Sequence, residues 1–188
     1  MEIEVSAEAK DKRLNRMVAI TVVVLSVVMG LGNIKDGNIV QNMAQAKADS
    51  VDRWGEYQAT KTKIHIAQTA RAEMAVIATT PGARAAAATA IAGLDRDIVK
   101  YTAEAPKLAR QAQGYADSYD SYNVHDDQFD ASEALISTAI SMAAVAALAE
   151  SFWLLAAGWA FGGFGLFMAV CGFAGWAFHP DVLSNFLG

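Results

Sequence analysis

Three long apolar runs divide the chain. The first is Met17 to Gly32 (MVAITVVVLSVVMGLG), and Ile34, Ile39 and Val40 extend it if the helix continues. At about 1.5 Å per residue it reaches roughly 24 Å, slightly short of the ~30 Å hydrocarbon core of a bilayer. The second run is Ala134 to Ala157 and the third is Trp159 to Phe178. Both are long enough to span. Only Gly158 separates them, which predicts a tight helical hairpin. Trp153, Trp159 and Trp176 fall near the expected ends, where an interfacial aromatic belt would place them.

Residues 33–131 are rich in Ala, Gln, Lys, Asp and Arg, and almost nothing there reads as strand. Thr79-Thr80-Pro81-Gly82 predicts a turn between two long helices. Pro106 is a second interruption and is expected to begin a new helical segment. After the turn, Ala87, Ile91, Leu94, Ile98, Tyr101, Ala105, Leu108, Ala112, Tyr115, Tyr119 and Tyr122 alternate at spacings of four and three. That is a heptad seam. Before the turn, Val40, Met43, Trp54, Tyr57, Ile64 and Met74 share one broad face. The pattern predicts an antiparallel hairpin whose arms are each roughly 60 Å long if about forty residues are continuous helix. Two helices cannot enclose a core, so the arm is expected to pack against copies of itself or a partner.

The expected fold class is therefore an all-α integral membrane protein. It has three transmembrane helices and a long extramembrane, coiled-coil-like antiparallel hairpin between the first and second. The expected boundaries are an N-terminal tail at 1–16, a first span at 17–34 and the hairpin at 35–131. A second span at 132–157, a third at 158–179 and a C-terminal tail at 180–188 complete the chain.

Charge adds orientation. Hydrophobic residues make up 54% and charged residues 19%, but the last Lys or Arg is Arg110, and Ala134 to Gly188 holds just two formal charges, Glu150 and Asp181. This excludes an evenly mixed soluble globule. A net charge of −5 without a basic stripe argues against nucleic acid as a partner. Lys10, Lys12, Arg13 and Arg16 precede the first run, whereas Lys35 and Lys47 follow it and no basic residue closely precedes the second. The positive-inside rule then puts the N-terminus in the cytoplasm and, in a bacterial inner membrane, the arm in the periplasm. No small-x-small cleavage site directly follows the first run, since Ala44-Gln45-Ala46 comes too late, so it reads as a retained anchor.

Close packing in lipid favours small residues. Gly158, Gly162, Gly165, Ala169 and Gly172 form a complete small-residue seam on the third run. Ala134, Ser137, Ser141, Ala144 and Ser151 form a comparable one on the second, broken by Leu148. These faces are expected to meet each other or a neighbouring subunit.

Few residues suggest chemistry. Glu150 is the ionisable side chain expected inside the last two spans, and such residues are functional candidates. Arg16 lies at a similar expected depth, and a Glu150–Arg16 pair would explain both. His125, Asp126, Asp127 and Asp130 form a weak candidate for a hard cation. Their spacing is no EF-hand, and Asp130-Ala-Ser-Glu133 reads better as a capping box opening the second span. His65, His125 and His179 show no metal-ligand spacing, and the lone Cys171 makes neither an intramolecular disulfide nor a metal cluster. No phosphate loop, nucleophile elbow or zinc-protease pattern occurs, so neither catalysis nor a cofactor is expected. Trp54 and Tyr57 are one turn apart and suit an aromatic contact, while at the membrane exit Lys35 snorkels and Asp36 stays wet.

The stretch Arg13 to Lys63, with its junction NIKDGNIVQ (Asn33 to Gln41) and VDRWGEYQA (Val51 to Ala59), resembles a bacterial family known as domain-of-unknown-function family 4337. FDASEALISTAISMAAVAAL, Phe129 to Leu148, resembles that family's approach to its second span. The resemblance implies the three-span topology and brings no catalytic residue.

The expected role is an oligomerising structural or accessory subunit of a membrane complex. Its partners would be the lipid bilayer and copies of itself or other subunits. A channel or transporter subunit using Glu150 is the first alternative, and a cofactor-carrying membrane subunit is the second.

Overall fold

The computed structural model describes the backbone from Glu2 to Phe178 and side chains from Lys12 onward. His179 and the expected tail 180–188 lie outside these residues. The described chain forms three helices and no strand: α1 (Glu2–Ile77), α2 (Arg84–Leu148) and α3 (Phe152–Ala174). Each contains a stretch long and apolar enough to cross a membrane.

The helices do not stop where the expected segments do. α1 is already helical from Glu2, so the expected tail 1–16 and first span belong to one helix that runs on to Ile77. α2 passes straight through Pro106, where a new segment was expected. It also passes through Asp130, so Asp130-Ala-Ser-Glu133 caps nothing. Pro106 removes a backbone donor in the helix interior, which is costly unless packing on both sides holds the helix together. Its neighbours Ala105 and Leu108 are buried and supply that packing. Pro106→Ala is expected to raise stability by about 1 kcal/mol, the helical gain being partly offset by a freer unfolded chain. Thermal unfolding of the two chains followed by circular dichroism checks it.

The break between α2 and α3 falls at Ala149–Ser151, not at Gly158. Glu150 takes the left-handed conformation, with φ 49°. The Ser151 N–H donates back to the Ala146 carbonyl at 3.0 Å, and Ala149 N–H to Val145 at 2.8 Å. This backbone pattern ends a helix without needing a glycine, although glycine is its usual occupant. α3 closes in a similar way at Gly175, φ 68°, with Trp176 N–H on the Cys171 carbonyl.

The chain divides into two compact units. One comprises the residues up to Met43 with those from Asp120, and the other is Ala44–Tyr119. In the first unit, α1, α2 and α3 pack in successive layers. Leu14 and Val18 meet Ala143, Ala146 and Leu155. Farther along, Leu25 meets Ile136 and Ala139, flanked by Leu166. Beyond that, Phe129 lies 3.6 Å from the place a Gly32 Cβ would occupy, and stacks edge-on against Phe173. The opposite faces stay open: Ile20, Val23, Val27, Trp153, Phe161, Phe164 and Phe167 are exposed.

In the second unit, α1 and α2 contact each other in opposed chain order. Ser50 Oγ donates to the Ala112 carbonyl at 3.0 Å. Lys47 lies over the Tyr119 ring and Lys63 over Tyr101, and Arg71 pairs with Asp95. As one residue number rises the other falls. On α2, Ala87, Ala105, Leu108 and Ala112 are buried, and Ile91, Leu94, Ile98, Tyr101, Tyr115 and Tyr119 half-buried. The α1 seam differs from the broad face expected. Trp54 is exposed, as is Val40 in the first unit, while Ala46, Ser50, Thr60, Ile64 and Ala67 are buried. Tyr57 and Met74 are half-buried. Trp54 instead sets its ring edge-on against Tyr57, with centroids 5.5 Å apart.

Candidate functional site

The small-residue seam of α3 is buried in full. Gly158, Gly162, Gly165, Ala169 and Gly172 all face inward. A Cβ on Gly158 would lie 3.2 Å from the Ala139 carbonyl, and one on Gly172 would lie 2.7 Å from the Phe129 ring. Glycine is required here because another helix occupies the space a side chain would take. The partner stripe on α2 is Ile136, Ala139, Ala143 and Ala146. It is not the expected serine seam: Ser137, Ser141 and Ala144 are exposed, and Ala134 is half-buried. Ser137 and Ser141 turn their hydroxyls back to the Ala134 and Ser137 carbonyls of their own helix.

Glu150 is not in a helix. It sits exposed in the α2–α3 turn, and Arg16 is exposed on α1 with no ion pair between the two. The expected pairing at membrane depth is therefore corrected. It failed because the apolar run Ala134 to Ala157 contains a chain reversal at its one charged residue. A left-handed glutamate costs about 1 kcal/mol relative to glycine. Glu150→Gly is accordingly expected to raise the unfolding midpoint slightly, measurable by differential scanning fluorimetry in detergent.

The chemistry of the first unit concentrates elsewhere, just beyond the apolar segments. Asp36 on α1 and Asp126 on α2 share a side-chain hydrogen bond, with Asp130 and Glu133 close enough to act on them electrostatically. Two carboxyls can hydrogen-bond only if one holds a proton. Burial, then the Asp36 and Asp130 charges, push Asp126 up to about 6. Burial also raises Asp36, although the hydrogen bond from Asp126 pulls it back. Asp130 rises through partial burial and the Asp36 charge. The second oxygen of Asp36, Oδ1, is buried without a hydrogen-bond partner. Asp36 is thus not the wet residue expected, because its position on α1 turns it toward α2.

Next to the carboxyls is a polar lock that the sequence does not advertise. Gln128 is fully buried. Its Nε2 donates to the Trp176 carbonyl at 2.8 Å and to the Phe178 carbonyl, tying down the chain after α3. With both amide protons spent, its Oε1 accepts from His125 Nδ1 at 3.0 Å, so that ring nitrogen carries a proton. His125, Asp126 and Asp127 fan around α2, only Asp130 shares a face with Asp126, and no group of three or more His, Cys, Asp or Glu in metal-holding geometry exists among the described residues. Asp127 instead accepts from Asn123 at 3.4 Å.

One family matches the chain: a domain of unknown function (DUF4337), over residues 14–175. The chain belongs to the DUF4337 family. The match takes in the buried glycine seam, the carboxyl pair and Gln128, so all three lie within the DUF4337 region. No curated protein and no solved structure matches the chain.

Proposed function

We propose that this DUF4337 chain crosses a bacterial inner membrane three times and serves as an oligomerising structural or accessory subunit of a membrane complex. Residues 44–119 form its antiparallel helical arm on the periplasmic side. The observation that carries this reading is the outer surface of the arm. Val51, Ile66, Val76 and Val99 are each more than half exposed, although the seam between the two helices is already filled. A two-helix arm has no further layer with which to cover them, so a neighbouring subunit is the natural cover. The membrane part contributes less to assembly than its composition suggests, because its glycine seam is spent within one chain. The exposed position of Glu150 in a turn gives no support to a membrane pathway through it.

Gentle purification from native membranes followed by native mass spectrometry tests the reading. The expected result is a complex several times the 20.0 kDa chain, alone or with a stoichiometric partner. A lone monomer would overturn it. Orientation is tested separately with a membrane-impermeant maleimide. The native Cys171 is buried, so a cysteine introduced at exposed Gln58 reports its own side of the membrane. Gln58→Cys should label in cells with a permeabilised outer membrane, whereas Lys12→Cys should label only after the inner membrane is opened. The reverse pattern would invert the topology.

A further inference from the structure

The two outer faces of the arm carry opposite charge. On α1, away from the filled seam, a stripe at alternating three- and four-residue spacing runs from Ala48 to Val76 through Gly55, Thr62, Ile66 and Thr69. Every position on it is exposed, and its charges are two acids, Asp52 and Glu73. The matching outer stripe of α2 runs from Ala85 to Asp117 through Ala92, Val99 and Pro106, again exposed throughout. Its charges are two bases, Arg96 and Arg110, with Asp117 at its last position. We propose that copies of this chain associate head to tail through the arm, the acidic outer face of α1 in one copy seating on the basic outer face of α2 in the next. The proposal rests on the reading of the chain as an oligomerising membrane subunit, and it names the two faces and the partner.

Register supports this occupant. Contacts within the arm set Ser50 level with Ala112, Lys63 with Tyr101 and Arg71 with Asp95. On that scale Ile66 lies level with Val99, Thr69 with Arg96 and Gly55 with Arg110. Copies related by a rotation axis along the membrane normal keep each residue at its own depth. Ile66, 64% exposed, then meets the neighbour's Val99, 70% exposed. The two arginines fall opposite Thr69 and Gly55, each within one turn of an acid: Arg96 near Glu73, and Arg110 near Asp52. α1 also has a hollow for one of them. Ile66, Thr69, Ala70 and Glu73 line it together with His65. Four residues at i, i+3, i+4 and i+7 are the hole into which a facing helix inserts a knob. The knob at this level is Arg96. Its Nε donates to the Ala92 carbonyl of its own helix at 3.2 Å. Among the described residues neither Arg96 nor Glu73 has an ion-pair partner.

Charge also selects between pairings. About a two-fold axis along the membrane normal, α1 against α1 would set Glu73 against Glu73, and α2 against α2 would set Arg96 against Arg96. Like charges so placed oppose association, and opposite ones fix which faces meet. A head-to-tail contact leaves one face free on each end copy, so addition continues until a ring closes.

Cysteine cross-linking of the full-length chain in isolated membranes, with copper phenanthroline as oxidant, tests the pairing. The native Cys171 is buried, and Ile66 and Val99 lie on opposite edges of the arm, out of each other's reach within one chain. Ile66→Cys/Val99→Cys should give a ladder of dimer, trimer and larger species. Neither single variant should cross-link alone, and the two expressed together should stop at dimer. Adding Glu73→Arg to the double-cysteine chain should lower the cross-linked yield about fivefold, and adding Arg96→Glu as well should restore it. Dimers from Ile66→Cys or Val99→Cys alone, a cross-link to a different protein, or a yield indifferent to Glu73→Arg overturns the head-to-tail faces. No ladder from a chain that still runs as a large complex in native mass spectrometry overturns these faces and leaves the oligomeric reading intact. No ladder from a chain that runs as a monomer overturns both.

Discussion

Replacing Gly165 with leucine is expected to separate α3 from α2 and unfold the first unit. A single Cβ at this position would already lie 2.8 Å from Ile136 Cγ1, 3.1 Å from Leu135 Cβ and 3.2 Å from the Ile136 backbone nitrogen. Ile136 is fully buried and held from its other side by Leu25 and Ala139, so it cannot swing away. The backbone nitrogen moves only if α2 moves. Inserting even a few methylenes into a packed core typically costs about 1–3 kcal/mol. Leucine adds four carbons where the neighbours include the α2 backbone, so the cost should reach at least about 3 kcal/mol. Gly163→Leu is the matched control: it adds the same side chain two residues earlier, where a Cβ meets nothing. Unfolding both variants and the parent in mixed micelles with rising dodecyl sulfate should leave Gly163→Leu near the parent and shift Gly165→Leu far below it. Equal stability of the two variants would mean that α2 and α3 do not pack as described.

The contrast between those two glycines marks how far the residue pattern could be read. The four-and-three spacing of Gly158, Gly162, Gly165, Ala169 and Gly172 singles out a buried face, since helical periodicity alone brings those positions into line. It does not identify the partner. Ser137, Ser141 and Ala144 follow the same kind of three- and four-residue alternation as the true stripe Ile136, Ala139 and Ala143, turned by a fraction of a helical turn. Small size made the serines attractive, but bulky Ile136 fits because Gly165 makes room for it. The α2 arm seam stands out in the residue pattern because Ile91, Leu94, Ile98, Tyr101, Leu108, Tyr115 and Tyr119 mark its heptad spacing and carry the alanines between them into line. The α1 arm seam was not, because it is built from Ala46, Ser50, Thr60 and Ala67, whose burial depends on the side chains opposite. The reversal at Glu150 was hidden for another reason. It uses a left-handed glutamate where the usual signal is glycine, and a glycine eight residues on offered a false alternative. Pro106 erred the other way: a local breaker was overridden by seam packing on both sides of it.

The carboxyl pair required knowledge of two helices at once, and it yields the second large effect: the first unit should become more stable as pH falls. Asp126 has an ordinary value of 3.8 and is pushed to about 6 in the folded chain, first by burial and then by Asp36 and Asp130. Asp36 and Asp130 shift in the same direction. The folded state therefore keeps protons that the unfolded chain releases across that window, and stability falls wherever the folded state binds more protons and pH rises. The contribution is fully present below the unfolded value and is lost as pH climbs through about 6. After discounting for solvent around these partly exposed groups, the first unit should gain about 1–2 kcal/mol between pH 8 and pH 4. Asp126→Asn isolates the cause. The amide carries no charge and can still donate a hydrogen bond to Asp36, so the variant should be more stable than the parent at pH 8 and nearly equal to it at pH 4. Carboxylates that do not interact with Asp126 titrate alike in both chains and cancel from the difference. Unfolding midpoints of parent and variant measured across this range decide the matter. A difference that stays constant with pH would show that the Asp36–Asp126 proton does not contribute to stability. If it does, a charged pair at the edge of the apolar segments makes the packing of α1 on α2 weaker in neutral surroundings than in acid ones, while the glycine seam holding α3 is indifferent to both.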